Sequence, residues 1–404
     1  MRRAVLRSVA AAMVGLALTI APQGAAQASG TRVGAWSPSM TTGGPSFTDQ
    51  TVRMVAHSSV AGSDARITLS NRYSSSPLVV SAVAIAPQAS GATPVGGSTL
   101  TVTFGRSGTV TVPAGQEMVS DAVPITVSAG ENLLVSLYLP GPTGTSTWHS
   151  DAFDTTYLAS GDHSGDESAA AFGSTTTSWY YLAGLDVVPA TARGTVVAFG
   201  DSITDGYHSS TGTYTRWPDL LADRLGAGPA PQRLSVVDAG IGGNRVLTDV
   251  PNIWQGVSAL KRFGHDTLGQ PGVKDVILLE GINDIGNNAG PGGAPLTAQD
   301  LIAGYQTLIA QAHAAHVRII GGTLMPIKGN GYYTPTAETL RQTVNEWIRT
   351  SGAFDGVVDF DQTMRDLNNI ASLNPVYDSG DHLHPNDAGM KAMADAIDLQ
   401  LLRE

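Results

Sequence analysis

The chain contains no cysteine. That excludes disulfides, thiolate-ligated metals, a thiol nucleophile and a lipidated N-terminal cysteine. Charge is also scarce: 14% of residues are charged against 42% hydrophobic, the balance of a globular body with a lightly charged surface. Basic residues are scarcest, 23 against 34 acidic, for a net charge of −11. Such a field is a poor match for nucleic acid or an anionic membrane, and nucleic acid is set aside as a partner. Long apolar runs are missing too. The strongest, Val9 to Ala21, is too short for a permanent membrane span.

That run reads instead as the core of a signal peptide. Arg2, Arg3 and Arg7 precede it, Pro22 ends it, and Ala26-Gln27-Ala28 has the small-x-small form of a peptidase site. The expectation is a leader over 1–28, cleavage after Ala28, and a secreted protein with no stable membrane anchor. The arginine pair leaves the general and twin-arginine export routes both open. A chain of 404 residues without disulfides must rely on its own cores, and its length predicts two domains.

From residue 29 to about 190 the pattern is β. Thr51 to Ala56 and Ala65 to Ser70 alternate with period two. Leu78 to Ala86, Thr99 to Phe104, Thr109 to Val112, Val123 to Val127 and Leu133 to Leu139 continue the series, with Gly, Pro, Ser and Asn between them. Short strands with regular turn signals predict an all-β sandwich or jelly-roll-like domain. Thr143 to Tyr181 reads as loops with one or two edge strands.

From 191 to 404 strands alternate with helices. The strand-like runs are Thr195 to Phe199, Ser235 to Ala239, Asp275 to Leu279, Arg318 to Thr323 and Gly356 to Phe360. The helix-like segments are Trp217 to Leu225, Trp254 to Phe263, Ala298 to Ala315, Ala337 to Thr350 and Asp387 to Leu402. Repeated βαβ units predict an α/β doubly wound parallel sheet with helices on both faces.

In such a sheet chemistry gathers at the carboxyl ends of the strands. Val196 to Phe199 stops at Gly200 and delivers Asp201-Ser202, which makes Ser202 a candidate nucleophile. A serine hydroxyl needs a base, and the base needs an orienting partner. Asp381-His382-Leu383-His384-Pro385 offers both: Asp381 and His384 are three apart, so on a turn the carboxylate can hold the imidazole. Pro385 and Asn386-Asp387 then read as the opening of the last helix, with the proline in its first turn. His382 lacks such a carboxylate and reads as structural or lining. Two further strand ends offer oxyanion donors. Ala239 to Asn244 is a glycine-rich turn containing Gly242 and Gly243, and Gly281-Ile282-Asn283-Asp284 puts the Asn283 amide at the same sheet edge. Neighbouring Gly242 and Gly243 leave open which glycine donates.

This set resembles the SGNH, or GDSL-type, hydrolases. Gly200-Asp201-Ser202-Ile203 looks like their first block, with Ile in place of Leu. Gly243, Gly281-Ile282-Asn283-Asp284 and Asp381-His382-Leu383-His384 match later blocks, and Trp217-Pro218 with Leu220-Leu221 resembles the first helix. The resemblance runs from about Thr195 to Leu402. It implies a flavodoxin-like sheet, Ser202 as nucleophile and His384 as base held by Asp381. It also implies an oxyanion hole from the Ser202 and Gly243 N–H groups and the Asn283 side chain. No cofactor and no metal are implied. The whole chain looks like the two-domain secreted GDSL-type esterases of actinobacteria.

The expected activity is ester hydrolysis through an acyl-enzyme on Ser202. Its substrate is a small short-chain or aryl ester, or the O-acetyl ester of a polysaccharide. A lipase- or phospholipase-type lipid hydrolase is the alternative within the class. A non-catalytic polysaccharide-binding protein that keeps the fold is the alternative outside it. Other features read blandly. His313 and His316, three apart on a helix, read as a helix face rather than metal ligands. Asp162-His163 with Asp166-Glu167 reads as a polar loop. Trp148, Trp179, Tyr180 and Tyr181 read as packing at least as readily as a sugar platform. Asp201 and Asp205 read as turn hydrogen-bond formers, and Glu280 needs a partner such as Arg245 or Arg262.

Overall fold

The computed structural model describes residues 31–250 and 253–402. The expected leader, 1–28, lies outside the described residues. The described residues from 31 to 402 cluster as one compact unit.

The N-terminal half is built of antiparallel strands. One sheet runs Val33–Trp36, Leu182–Pro189, Gly62–Ser70, Glu117–Val119, with Val123–Val127 also pairing Gly62–Ser70. A second runs Ser174–Thr176, Thr156–Ser160, Gln50–His57, Asn132–Leu139, Ala82–Ser90. Alternation explains their faces: Val123–Val127 buries Val123, Ile125 and Val127 and exposes the residues between. Val52, Met54, Ile67, Leu69, Val135, Leu137 and Val187, drawn from both sheets, share one hydrophobic cluster.

Two expectations change here. Leu78 to Ala86 is two strands, because Leu78–Val80 pairs Val110–Val112 while Ala82–Ser90 pairs Asn132–Leu139. The stretch from Thr143 to Tyr181 holds four strands rather than one or two. One of them, Ser146–His149, is central in a small sheet between Thr41–Gly44 and Trp179–Tyr180.

The C-terminal half has five parallel strands: β1 (Thr195–Gly200), β2 (Ser235–Gly240), β3 (Val273–Leu279), β4 (Arg318–Gly322) and β5 (Gly356–Val358). Their order is 2-1-3-4-5, so the sheet reverses direction of growth beside β1. A doubly wound sheet of this order binds ligands at that switch point. The helices are α1 (Ser202–Asp205), α2 (Trp217–Gly226), α3 (Ala259–Phe263), α4 (Ile282–Gly286), α5 (Ala298–Ala314), α6 (Pro335–Thr350), α7 (Phe360–Met364) and α8 (Asp387–Ala396). Val196, Val197, Phe199, Ile277, Ile319, Leu308 and Met393 belong to its buried cluster.

Three element boundaries differ from the sequence pattern, each through a side chain that competes for backbone groups. The helix expected from Trp254 begins at Ala259, because Asn244 Nδ2 donates to the Gln255 and Val257 carbonyls at 2.7 and 2.8 Å. The strand expected to reach Phe360 stops at Val358, since Asp359 accepts from Gln362 N–H and caps α7. The last helix ends at Ala396 rather than Leu402, where the Arg224 guanidinium takes the Ala394 and Ile397 carbonyls. Its start at Asp387 is as expected, but Asn386 is the N-cap, so Pro385 precedes the helix instead of entering its first turn.

Candidate active site

β1 ends in a turn with no room for a side chain. A Cβ on Gly200 would lie 2.2 Å from the Leu279 carbonyl and 2.4 Å from Thr204 Oγ1. The Asp201 carboxylate accepts from Ile203 N–H at 3.0 Å and caps α1, which closes on Gly206 in the left-handed conformation. Ser202 is the first residue of that helix, where a backbone N–H has no intrahelical acceptor. Its side chain is nearly buried and points to the cleft at the sheet edge.

The loop before α8 meets it there. His384 Nε2 lies 2.8 Å from Ser202 Oγ, and His384 Nδ1 lies 2.5 Å from Asp381 Oδ2. The other Asp381 oxygen accepts from His384 N–H at 2.8 Å and Leu383 N–H at 2.9 Å. Burial works to raise the Asp381 carboxyl, but the hydrogen bonds from His384 outweigh it and hold it well below the usual carboxylate range. His382 turns away with φ 63° and gives Nδ1 to Asp378 at 2.6 Å. His208, also in the left-handed region, approaches Asp381 Oδ2 from the other side at 3.3 Å.

The glycine turn after β2 distinguishes its two members. Gly242 N–H donates to Asp205 Oδ2 at 3.2 Å. Gly243 N–H meets no acceptor among the described residues, and Gly243 has φ 73°, which favours glycine. After β3, Asn283 is the second residue of α4. Its Oδ1 accepts from the Tyr332 hydroxyl at 3.2 Å, which turns Nδ2 the other way. That Nδ2 is buried and meets no acceptor among the described residues. The neighbouring Asp284 faces inward and takes Val246 N–H and Leu247 N–H at 2.8 and 3.0 Å, so it anchors the chain beyond the glycine turn. Ser202, Gly242, Gly243, Asn283 and His384 all line one cleft of about 480 Å³.

Beneath the cleft lies a cluster of buried ionisable groups. Arg262 on α3 approaches Glu280 at 3.4 Å and Asp266 at 3.1 Å, while Arg245 has no such contact with Glu280. Burial and then the Asp201 charge push Glu280 well above its usual range, against the pull of Arg262. Burial pushes Asp201 itself up to about 6.

Several participants had no sequence signal. His149, from the β half, is buried with Nε2 3.0 Å from Asp205 Oδ1. Ser150 and Asp151 follow it into the cleft wall. Tyr207 and Trp254 rim the cleft and are 42% and 38% exposed. His149, Ser150, Asp151 and Tyr207 stand in stretches of sequence with no period to mark them, and Trp254 reads only as the start of a helix.

Other sequence features stay apart. His313 pairs with Asp355 at 2.9 Å. His163 pairs with Asp166 at 2.8 Å, and Arg53 takes the carbonyls of that loop. Trp179, Tyr180 and Tyr181 are buried, which removes them from any binding platform. Trp148 donates to the Thr42 carbonyl. Among the described residues one trio of possible metal donors gathers, His208, Asp381 and His384, with ligand atoms within 4.8 Å of one another. Two of its members are already hydrogen-bonded to each other.

Residues 198–392 match the model of the GDSL-like Lipase/Acylhydrolase family. Similar solved structures include a member of the lipolytic protein G-D-S-L family from Veillonella parvula, 21% identical, TM-score 0.36, covering 50% of this chain and 94% of that one. Another is Est24, a carbohydrate acetylesterase from Sinorhizobium meliloti, 15% identical, TM-score 0.39, covering 50% and 95%. A third is Axe2, an acetylxylan esterase from Geobacillus stearothermophilus, 22% identical, TM-score 0.39, covering 52% and 94%. No curated protein matches the chain.

Proposed function

Since this chain belongs, through residues 198–392, to the GDSL-like lipase/acylhydrolase family, we propose that it is a serine ester hydrolase acting through Ser202. One observation carries the reading: the unbroken line from Ser202 Oγ to His384 Nε2 at 2.8 Å and from His384 Nδ1 to Asp381 at 2.5 Å. His384 takes the proton as Ser202 attacks the ester carbonyl, and Asp381 holds the ring and stabilises the imidazolium that forms. His384 then protonates the leaving alkoxide, and water removes the acyl group by the same route. The tetrahedral oxyanion is met by Ser202 N–H, Gly243 N–H and Asn283 Nδ2. The commitment of Gly242 N–H to Asp205 and the Asn283 Nδ2, without an acceptor among the described residues, both support this assignment.

The substrate class is a small short-chain or aryl ester, or an acetylated carbohydrate. The open cleft with exposed Tyr207 and Trp254 at its rim supports it, because amphipathic aromatic faces accept aryl groups and sugar rings alike. The leader over 1–28 makes the protein secreted. Among the described residues no helix is long and apolar enough to cross a membrane. Residues 29–190 form a β-sandwich domain and 191–404 the hydrolase domain.

A rate series on p-nitrophenyl esters from acetyl to palmitoyl, with acetylated xylan alongside, tests the reading. Hydrolysis that Ser202→Ala abolishes is expected, with short acyl chains preferred. A rate that rises toward long chains selects lipid instead. Retained turnover in Ser202→Ala removes the serine mechanism, and binding of polysaccharide without any turnover selects a non-catalytic role.

A further inference from the structure

His149 is the last residue of Ser146–His149 in the β half, yet its ring is buried beside the glycine turn of the parallel sheet. Nδ1 faces the Ser39 carbonyl at 2.7 Å and Nε2 faces Asp205 Oδ1 at 3.0 Å. Both partners are acceptors, so both ring nitrogens carry protons and the ring is an imidazolium. The second Asp205 oxygen receives Gly242 N–H. A buried chain of contacts therefore runs from the β half to the residue before Gly243.

The residues after His149 reinforce the connection. Asp151 lines the cleft. Phe153 packs edge-on against Tyr207, whose ring lies 4.7 Å from that of His384. The Phe153 carbonyl accepts from Gly212 N–H at 2.8 Å, and Asp154 accepts from the Tyr214 hydroxyl at 2.7 Å. One short segment of the β half thus borders both the glycine turn and the base.

We infer that His149 is a positioning residue of the ester-cleaving site: through Asp205 it pins Gly242 N–H, and so presents Gly243 N–H to the oxyanion. The inference rests on the proposed ester hydrolysis. The β half is then part of the catalytic centre rather than an appended module. Without His149 the buried Asp205 carboxylate has no cation in contact among the described residues, only the longer-range charge of Arg216, a state that favours protonation or movement. Gly242 N–H loses a charged acceptor, and a two-glycine turn has ample freedom to rotate once released.

His149→Ala is expected to lower kcat on p-nitrophenyl acetate about 10- to 100-fold with KM within about twofold, a partial loss of oxyanion stabilisation. A trifluoromethyl ketone, which forms the tetrahedral adduct, is expected to bind more weakly by a matching factor. His149→Gln keeps one N–H for Asp205 and recovers part of the rate. Asp205→Asn is expected to cost a similar amount, and the double variant no more than the worse single one. That pair of variants keeps the test decisive if His149→Ala does not fold. Near wild-type kcat, or additive losses, overturns the inference. Hydrogen exchange of residues 239–247 reads the turn without turnover: exchange at least about tenfold faster in the variants is expected, and unchanged exchange overturns the pinning. A wild-type chain that cleaves no ester sinks the proposed function, while the exchange result still decides the role of His149.

Discussion

Arg262 donates to the carbonyl oxygen of Gly200 at 2.7 Å, two residues before the nucleophile. The same guanidinium reaches the Ala239 carbonyl at 2.8 Å, just before the glycine turn, and Glu280 just before Asn283. Its Nε donates to Asn244 Oδ1 and its plane lies 3.9 Å from the Phe199 ring centroid. One cation holds the three strand ends that carry Ser202, Gly243 and Asn283.

Arg262→Ala should therefore cost stability and rate together. It leaves buried carbonyls, Asn244 Oδ1 and the Asp266 carboxylate short of a partner, and removing one member of a buried pair costs about 3–5 kcal/mol. Arg262→Lys supplies charge without the planar fork and should recover a minority of that. Urea unfolding read by circular dichroism measures both. A loss below about 1 kcal/mol in Arg262→Ala contradicts the clamp.

What could be read from the sequence follows contact range. Asp381 and His384 are three residues apart, so their meeting is a local matter of one turn. Ser202, Gly243 and Asn283 each follow a strand-like run, and parallel strands bring their ends to one edge without further information. His149 and Asp205 are 56 positions apart, on elements of different periodicity, and nothing local links them. Arg262 was legible as a partner for Glu280, but not as a donor to two backbone carbonyls, because carbonyls leave no mark in a sequence. The late start of α3 was hidden for the same reason: Asn244 captures carbonyls that a helix from Trp254 would need.

Asn283→Ala tests the oxyanion assignment. The buried Nδ2 has no protein acceptor among the described residues, and the Oδ1 contact with Tyr332 is a single neutral hydrogen bond. Its loss should hardly touch folding. Removing one oxyanion donor costs about 10²–10³ in kcat. The expected result is a kcat on p-nitrophenyl acetate reduced on that scale, with KM little changed and a wild-type melting curve. A variant of near wild-type kcat removes Asn283 from the mechanism.

The charge on His149 should appear in the pH dependence of stability. Burial lowers its affinity for a proton, but the Asp205 carboxylate outweighs burial and raises the ring to about 9. Asp151 adds to the rise, the Ser39 carbonyl accepts from the ring, and the Trp179 ring lies alongside. An unfolded histidine titrates near 6.5. The folded state therefore binds the proton more tightly, and its stabilisation is complete below about pH 6.5 and lost as pH rises through about 9. His265, hydrogen-bonded to Asp266 and to Glu117 of the β half, is likewise raised to about 9 and contributes over the same window. The melting temperature of the wild type should fall between pH 6.5 and 9.5. His149→Gln and His265→Gln should each flatten that fall in part, and the double variant more than either, leaving the share that the raised Glu280, Asp238 and Asp284 carboxyls contribute. A His149→Gln profile parallel to the wild type across the window would show that the ring carries no charge in the folded chain.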